Sequence, residues 1–171
     1  MRISVLTVSD RSSRGEREDT SGPALIELIK DIGWELVAYA VLPDEQEQIQ
    51  AQLIDWCDSS EMDVILTTGG TGFSPRDRTP EATLAVIERL APGLAEAMRF
   101  ASLEKTPHAM LSRGVCGIRG RTLIVNLPGS TRAARENFSV VRPVLEHGVA
   151  LLREEPSSET GHTFQKPDPS A

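Results

Sequence analysis

Two kinds of hydrophobic pattern alternate along the chain. Short apolar runs rich in β-branched residues predict strands over residues 2–8, 34–42, 63–68, 114–119 and 121–126. Between most of them lie longer segments in which apolar residues recur every three or four positions, the period of an amphipathic helix. Strands that alternate with helices indicate an α/β fold, with a mostly parallel sheet covered on both faces.

The predicted helices begin and end at recognisable signals. Ser21–Pro23 opens a helix that Gly33 ends. Asp44 is expected to cap the next helix, with Glu47 as its capping-box partner. Thr79–Pro80 begins a third helix, and further helices follow near 93–105 and at the end of the domain. The expected buried faces are Leu25, Ile29 and Ile32; Ile49, Leu53 and Trp56; Leu84, Ile87 and Leu90; and Phe138, Val141, Leu145, Val149 and Leu152.

Polar loops follow four of the predicted strands. They contain Ser9–Asp10, Pro43–Asp44, Gly69–Asp77 and Asn126–Ser130. In open α/β sheets, ligands bind outside the carboxyl ends of the strands. The sequence therefore predicts one pocket, lined by acidic residues and glycines, at a single edge of the sheet.

The loop after the third strand predicts a phosphate site. A strand over 63–68 leads into Gly69–Gly72 and then into a helix start at Thr79, and such loops hold anions on backbone N–H groups. No lysine follows the glycines as a Walker A motif requires, and Pro75 stands where a dinucleotide fingerprint has its third glycine. An ordinary strand-to-helix connection is the alternative interpretation of the loop alone.

Two aspartates are candidate ligands for Mg²⁺. Asp77 lies between Arg76 and Arg78, and helix capping does not require it, because Thr79 is the expected cap. Asp44 has the competing role of an N-cap. Two carboxylates on neighbouring loops suit Mg²⁺ held between substrate phosphates, and the two arginines are expected to neutralise charge there.

Composition limits the classes of partner. The chain has 171 residues, 39% of them hydrophobic and 25% charged, which fits one globular domain. A net charge of −7 argues against a nucleic-acid binder. The N-terminus resembles a strand and not a signal peptide, and no apolar run suits a membrane span. Cys57 and Cys116 are expected to be free buried thiols, which favours the cytoplasm.

The last residues of the chain differ in composition from the rest. Residues 154–171 are polar and rich in proline, so they are expected to be a disordered tail. The predicted folded domain is residues 1–153.

Several blocks of sequence resemble the molybdopterin adenylyltransferase family, which contains the Mog-like proteins and the G domains of gephyrin-type proteins. The resemblance covers about residues 3–153. The blocks, in order, are Leu6–Asp10, Pro43–Glu45, Thr67–Thr83, Met110–Arg113, Gly117–Gly120 and Asn126–Ser130.

This resemblance implies an activity and a set of site residues. Members transfer AMP from ATP to the terminal phosphate of molybdopterin with Mg²⁺, releasing pyrophosphate, and the product passes to molybdenum insertion. They are typically homotrimers with a three-layer α/β fold. The resemblance implies that Asp44 and Asp77 are the catalytic and metal-binding residues. Expected contacts to nucleotide or pterin phosphates are Ser9, Asp10, Gly69, Gly70, Thr71, Gly72, Ser112, Asn126, Gly129 and Ser130.

Two other functions suit the same sequence pattern. One is a non-catalytic molybdopterin-binding or scaffold protein of the same fold. The other is a nucleotide pyrophosphatase like the related domain of larger competence-damage proteins. The presence of both Asp44 and Asp77 favours the transferase over the scaffold.

Overall fold

A computed structural model describes residues 1–155 of the protein, so the predicted tail lies almost wholly outside the described residues. Within them, six strands form one sheet. The strands are β1 (Arg2–Val8), β2 (Glu35–Leu42), β3 (Val64–Thr68), β4 (Arg89–Leu90), β5 (Cys116–Arg119) and β6 (Thr122–Leu127).

The sheet is mostly parallel, as predicted. Its strand order is β2-β1-β3-β6-β5-β4. The first four strands in this order are parallel to one another, and β5 and β4 continue the sheet in antiparallel fashion. The carboxyl ends of β1, β2, β3 and β6 therefore meet at one edge. Because β5 runs the opposite way to β6, its amino end lies at that edge too.

Helices cover both faces of the sheet. They are α1 (Asp10–Ser13), α2 (Ser21–Asp31), α3 (Gln46–Asp58), α4 (Thr79–Val86), α5 (Pro92–Leu103) and α6 (Thr131–Leu152), with a 3-10 turn at Pro107–Leu111. One apolar core joins the sheet to α2, α5 and α6, and a second joins it to α3 and α4. The predicted three-layer α/β fold is confirmed.

The alternation of side chains along β1 shows why there are two cores. Ile3 and Val5 belong to the core under α2, α5 and α6, whereas Leu6 and Val8 belong to the core under α3 and α4. Successive side chains of a strand point to opposite faces, so a strand covered on both faces must be apolar at consecutive positions. This is why the strand runs lack a polar face.

Three local predictions were wrong. The first polar loop contains the short helix α1, which Ser9 caps by accepting a hydrogen bond from the Ser12 backbone N–H. Leu84 and Leu90 are 48% and 60% exposed instead of buried, because Leu84 lies on the outer side of α4 and Leu90 lies beyond its end at Val86. Residues 89–90 form the edge strand β4, because the chain leaves the helix before its apolar stripe is complete.

The capping role expected of Asp44 is also wrong. The N-cap of α3 is Glu45, and no side chain caps that helix end. The Asp44 carboxylate instead accepts the backbone N–H of Asp10, at the start of α1. Asp44 therefore connects two loops at the carboxyl edge of the sheet and does not begin the helix that follows it.

Asp19 fixes the start of α2 to the sheet. Its carboxylate accepts hydrogen bonds from the Ser21 and Gly22 backbone N–H groups, the Ser21 hydroxyl, the Thr7 hydroxyl and the Tyr39 phenol. Burial and the neighbouring Asp19 carboxylate raise the pKa of Tyr39 to about 12. One carboxylate thus organises β1, β2 and α2.

We expect Asp19→Ala to lower the free energy of unfolding by about 3 kcal/mol, because it leaves several buried donors without an acceptor. Urea denaturation measures this loss, and the exposed neighbour variant Glu18→Ala is the control. In Asp19→Ala, the phenol absorbance of Tyr39 should titrate closer to its ordinary pKa of about 10. Equal stability of the two variants would contradict this role of Asp19.

Candidate active site

The glycine loop after β3 is shaped by backbone conformation and by contact with aspartates. Gly69 and Gly70 have φ values of +100° and +61°, which side chains other than glycine rarely tolerate. A Cβ atom on Gly70 would lie 2.8 Å from Asp44 Oδ1, and one on Gly72 would lie 2.9 Å from Asp77 Oδ2. The two predicted catalytic carboxylates therefore lie directly against the glycines of the predicted phosphate loop.

Asp44 is 9% exposed and is held by a reciprocal exchange with Asp10. Asp44 Oδ2 accepts the Asp10 N–H at 2.8 Å, and the Asp44 N–H donates to Asp10 Oδ1 at 3.1 Å. Burial raises the pKa of the Asp44 carboxyl, and the negative charges of Asp10 and Asp77 raise it further. Binding of a cation at this site would relieve that repulsion.

Arg76 connects the glycine loop with the other acidic loops. Its Nε and Nη2 atoms donate to the Asp10 carboxylate at 3.0 and 2.9 Å, and Nη2 also donates to Glu45 at 2.7 Å. The Arg76 guanidinium lowers the pKa of the Asp10 carboxyl. Asp10 is therefore charge-paired, whereas Asp44 is held by backbone N–H donation without a direct cationic partner.

Asp77 closes a small turn of the loop. Its Oδ2 atom accepts the Ser74 N–H at 3.0 Å, and its own N–H donates to the Ser74 carbonyl at 2.9 Å. The loop then returns to its start, because Thr79 donates from its backbone N–H to the Gly70 carbonyl and from its hydroxyl to the Gly69 carbonyl. Asp77 is thereby held at the rim of a cavity.

This cavity has a volume of about 440 Å³ and lies at the carboxyl edge of the sheet. The glycine loop forms one wall, the start of α6 a second, and α5 with the 3-10 turn a third. Its lining residues are Gly70, Thr71, Gly72, Asp77, Arg99, Ser102, Thr106, His108, Ala109, Leu111, Ser112, Pro128, Gly129, Ser130, Ala133 and Asn137.

The start of α6 forms a second wall of the cavity. Ser130 is the N-cap of this 22-residue helix, and its hydroxyl accepts the Ala133 N–H at 3.2 Å. Gly129 packs against Gly69. A Cβ atom added to Gly129 would lie 3.1 Å from the Gly69 Cα atom. The N-terminus of a helix attracts negative charge, and the start of α6 lines the same cavity as the glycine loop.

Some predicted contact residues lie elsewhere. Asn126 is 2% exposed. Its side-chain Nδ2 donates to the Thr67 and Thr83 hydroxyls at 2.9 Å, and its Oδ1 accepts the Val115 N–H at 3.3 Å. It joins β6 to neighbouring elements behind the cavity wall. Ser9 caps α1, and the residues lining this cavity also do not include Asp10, Asp44 or Gly69. Ser112, Gly129 and Ser130 do line it, as do Gly70, Thr71 and Gly72.

Five polar lining residues were not predicted as part of the site. They come from α5, the 3-10 turn with its N-cap, and α6, and are Arg99, Ser102, Thr106, His108 and Asn137. Arg99 donates to the Gly114 carbonyl at 2.8 Å, and Asn137 donates to Ser102 at 3.1 Å. The antiparallel strand β5 has its amino end at this edge of the sheet, which brings the preceding 3-10 turn to the cavity, and no motif in the sequence signals that reversal.

The acidic residues suit a magnesium ion better than a metal held entirely by protein. Among residues 1–155, no group of three or more histidine, cysteine, aspartate or glutamate side chains is arranged to hold a metal. Mg²⁺ is commonly bound by one or two carboxylates together with substrate phosphates and water. Asp44 and Asp77, lying against Gly70 and Gly72, fit that mode of binding.

Comparison with known proteins agrees with the features of this site. Residues 4–147 match the family model described as a probable molybdopterin binding domain. The chain is 42% identical over 152 residues to the molybdopterin adenylyltransferase of Helicobacter pylori, covering 88% of this chain and 86% of that protein. It is 43% identical over 176 residues to gephyrin of Dictyostelium discoideum, covering 97% of this chain but only 24% of the longer protein.

Solved structures give the same result. The molybdopterin biosynthesis enzyme MoaB from Thermus thermophilus superposes with a TM-score of 0.84 and 52% sequence identity, over 91% of this chain and 98% of that chain. The resemblance noted in the sequence blocks is thus confirmed over nearly the whole described domain. The chain belongs to the molybdopterin-binding domain family to which the molybdopterin adenylyltransferases also belong.

Proposed function

We propose that this protein is a molybdopterin adenylyltransferase, which transfers AMP from ATP to the terminal phosphate of molybdopterin and releases pyrophosphate. The observation that carries the proposal is the placement of Asp44 and Asp77 against two glycines of one phosphate loop, in a chain of this family. The names of its relatives support the same reaction. The adenylylated pterin is then ready for molybdenum insertion.

The backbone around the cavity supplies contacts for phosphate groups. Gly70, Thr71 and Gly72 line the cavity on one side, and the start of α6 after Gly129 and Ser130 lines it on another. Glycine-rich loops and helix starts hold negative charge on backbone N–H groups, so two of them suit a reaction that brings two phosphate-bearing substrates together. Ser112 adds a hydroxyl on the opposite wall.

Asp44 and Asp77 are the residues that would hold Mg²⁺. When bound, the ion supplies positive charge that offsets the charge on the substrate phosphates. The chain itself contributes the orientation of the carboxylates: Asp10 N–H fixes Asp44, and Ser74 N–H fixes Asp77.

The transfer needs little proton chemistry from the protein. An oxygen of the molybdopterin phosphate forms a bond to the α-phosphorus of ATP, and the bond from that phosphorus to the bridging oxygen of pyrophosphate breaks. The attacking oxygen is already anionic, so no general base has to remove a proton. The protein acts by positioning the two substrates and by neutralising developing charge.

One incubation separates this proposal from the alternatives. The purified protein is mixed with ATP, Mg²⁺ and molybdopterin, and adenylylated pterin and pyrophosphate are measured together. We expect equal amounts of both products, and no nucleotide cleavage when the pterin is omitted. Binding of pterin without turnover would indicate the scaffold function, and pterin-independent cleavage of ATP would indicate a pyrophosphatase.

We also propose a homotrimer. An exposed apolar surface on α5 and the 3-10 turn supports association, because Phe100 and Met110 are 71% and 66% exposed, with Leu103 and Leu111 beside them in sequence. Sedimentation at micromolar concentration should give three times the chain mass of 18.6 kDa. A species of 18.6 kDa alone would contradict the trimer.

We place the protein in the cytoplasm as part of the same proposal. Cys57 and Cys116 are both buried free thiols, and burial raises the pKa of each to about 12, which keeps them unreactive. No helix in the described part of the chain has the length and apolar character needed to cross a bilayer.

The product of the proposed reaction, adenylylated molybdopterin, would pass directly to a molybdenum-inserting protein.

A further inference from the structure

Arg113 makes hydrogen bonds to several residues of the loop that carries Asp77. Its backbone N–H donates to the Thr71 carbonyl at 2.9 Å, Nε donates to the Gly72 carbonyl at 2.6 Å, and Nη2 donates to the Asp77 carbonyl at 2.8 Å. The same guanidinium forms an ion pair with Glu81 on α4. One side chain thus joins the beginning, the end and the following helix of a single loop.

These contacts suit arginine and no other residue. The guanidinium presents its donors in a rigid planar fork, so it reaches several oxygens in different directions at the same time. A lysine ammonium is a single point of charge on a flexible stem and cannot reproduce this arrangement. All three guanidinium nitrogens of Arg113 are already bonded to oxygens of the protein.

The bonded carbonyls lie next to the reacting part of the site. Gly72 is the residue whose Cα faces the Asp77 carboxylate, and a Cβ there would lie 2.9 Å from Asp77 Oδ2. Arg113 binds the carbonyls of both residues, so it fixes the distance between the glycine backbone and the carboxylate. A small displacement of a catalytic group is enough to reduce a rate about 100-fold.

We propose that Arg113 is a positioning residue for Asp77, acting through the loop backbone and not through contact with substrate. The role in catalysis rests on the proposed adenylyl transfer. Glu81 aligns the fork from the other side, because it pairs with Nη1 while Nε and Nη2 bind the loop. The pair therefore fixes the angle from which Asp77 faces the cavity.

The test compares Arg113→Lys with a matched control, Arg119→Lys. Arg119 is also partly buried, and its guanidinium donates to the Asp58 carboxylate at 2.9 Å and to the Val86 carbonyl at 3.2 Å. It lies on β5 and does not line the cavity. We expect Arg113→Lys to lower kcat about 10- to 100-fold with KM for ATP nearly unchanged. Arg119→Lys should keep kcat close to that of the unaltered protein.

Two further measurements separate positioning from a general loss of structure. Backbone hydrogen exchange over residues 70–79 should become faster in Arg113→Lys, while exchange in β1 and β3 stays slow. Millimolar guanidinium should restore part of the kcat of Arg113→Ala. Glu81→Gln provides a milder variant, with a smaller loss of kcat, if the arginine variants are poorly folded.

The exchange measurement does not depend on catalysis, so it tests Arg113 even if the protein does not adenylylate molybdopterin. Unchanged exchange over residues 70–79 in Arg113→Lys would overturn the proposal. So would a higher KM for ATP with unchanged kcat, because that result would mean that Arg113 contacts the substrate. Absence of turnover in the unaltered protein would refute the proposed function and leave the loop contacts of Arg113 to be judged by exchange alone.

Discussion

Asp77→Asn is expected to reduce adenylyl transfer about 10²- to 10³-fold in a protein that remains folded, the loss typical of removing one preorganised electrostatic group. The asparagine side chain has nearly the same shape, and its oxygen can still accept the Ser74 N–H that Asp77 Oδ2 accepts now. Only the negative charge disappears. Turnover is measured as adenylylated pterin formed per protein chain, with circular dichroism to verify folding.

Asp55→Asn is the matched control for this experiment. Asp55 is exposed on the last turns of α3, away from the cavity, and it undergoes the same chemical change. It should leave turnover unchanged. If the two variants have the same kcat, Asp77 is not a catalytic residue and the metal assignment fails with it.

Asp44→Asn should have the second large effect, again a loss of about 10²-fold or more in turnover. The asparagine oxygen still accepts the Asp10 N–H, so the link between the two loops is kept. The structure removes the simpler explanation of such a loss, because Asp44 does not cap α3. A variant with full activity would reduce Asp44 to a structural connection between loops.

The same variant should also change the pH dependence of stability. Burial raises the pKa of Asp44 above its unfolded value, so the fold favours the protonated form. Stability contributed by that form is therefore lost as the pH rises from the unfolded pKa of about 3.9 through the higher folded pKa. At neutral pH without Mg²⁺, Asp44→Asn should melt at a higher temperature than the unaltered protein.

This gain should decrease as the pH is lowered and should vanish below the unfolded pKa of about 3.9, where Asp44 becomes protonated in both states. Added Mg²⁺ should stabilise the unaltered protein more than Asp44→Asn, because only the former offers both carboxylates. Thermal melts with and without Mg²⁺ at several pH values measure both effects. A lower melting temperature of the variant at neutral pH would contradict the effect of burial.

The sequence identifies the pair of candidate aspartates, but not the role of each neighbour. The arginines on either side of Asp77 predict neutralisation of substrate charge. In the fold, Arg76 instead pairs with Asp10 and Glu45. This pairing depends on residues more than 30 positions apart, and no local pattern along the chain indicates which carboxylate an arginine will meet.

The α/β class, most strand and helix positions and the glycine loop follow from the amino-acid sequence, because each depends on residues close together along the chain. Continuous apolar runs require strands covered on both faces, and glycines permit the backbone of the loop. Long-range packing is needed to place Asp44 against the start of α1 and to bring Arg99 and His108 to the cavity. It also buries Asn126. These features come from strand order and from the reversed direction of β5, which bring distant segments to one edge of the sheet.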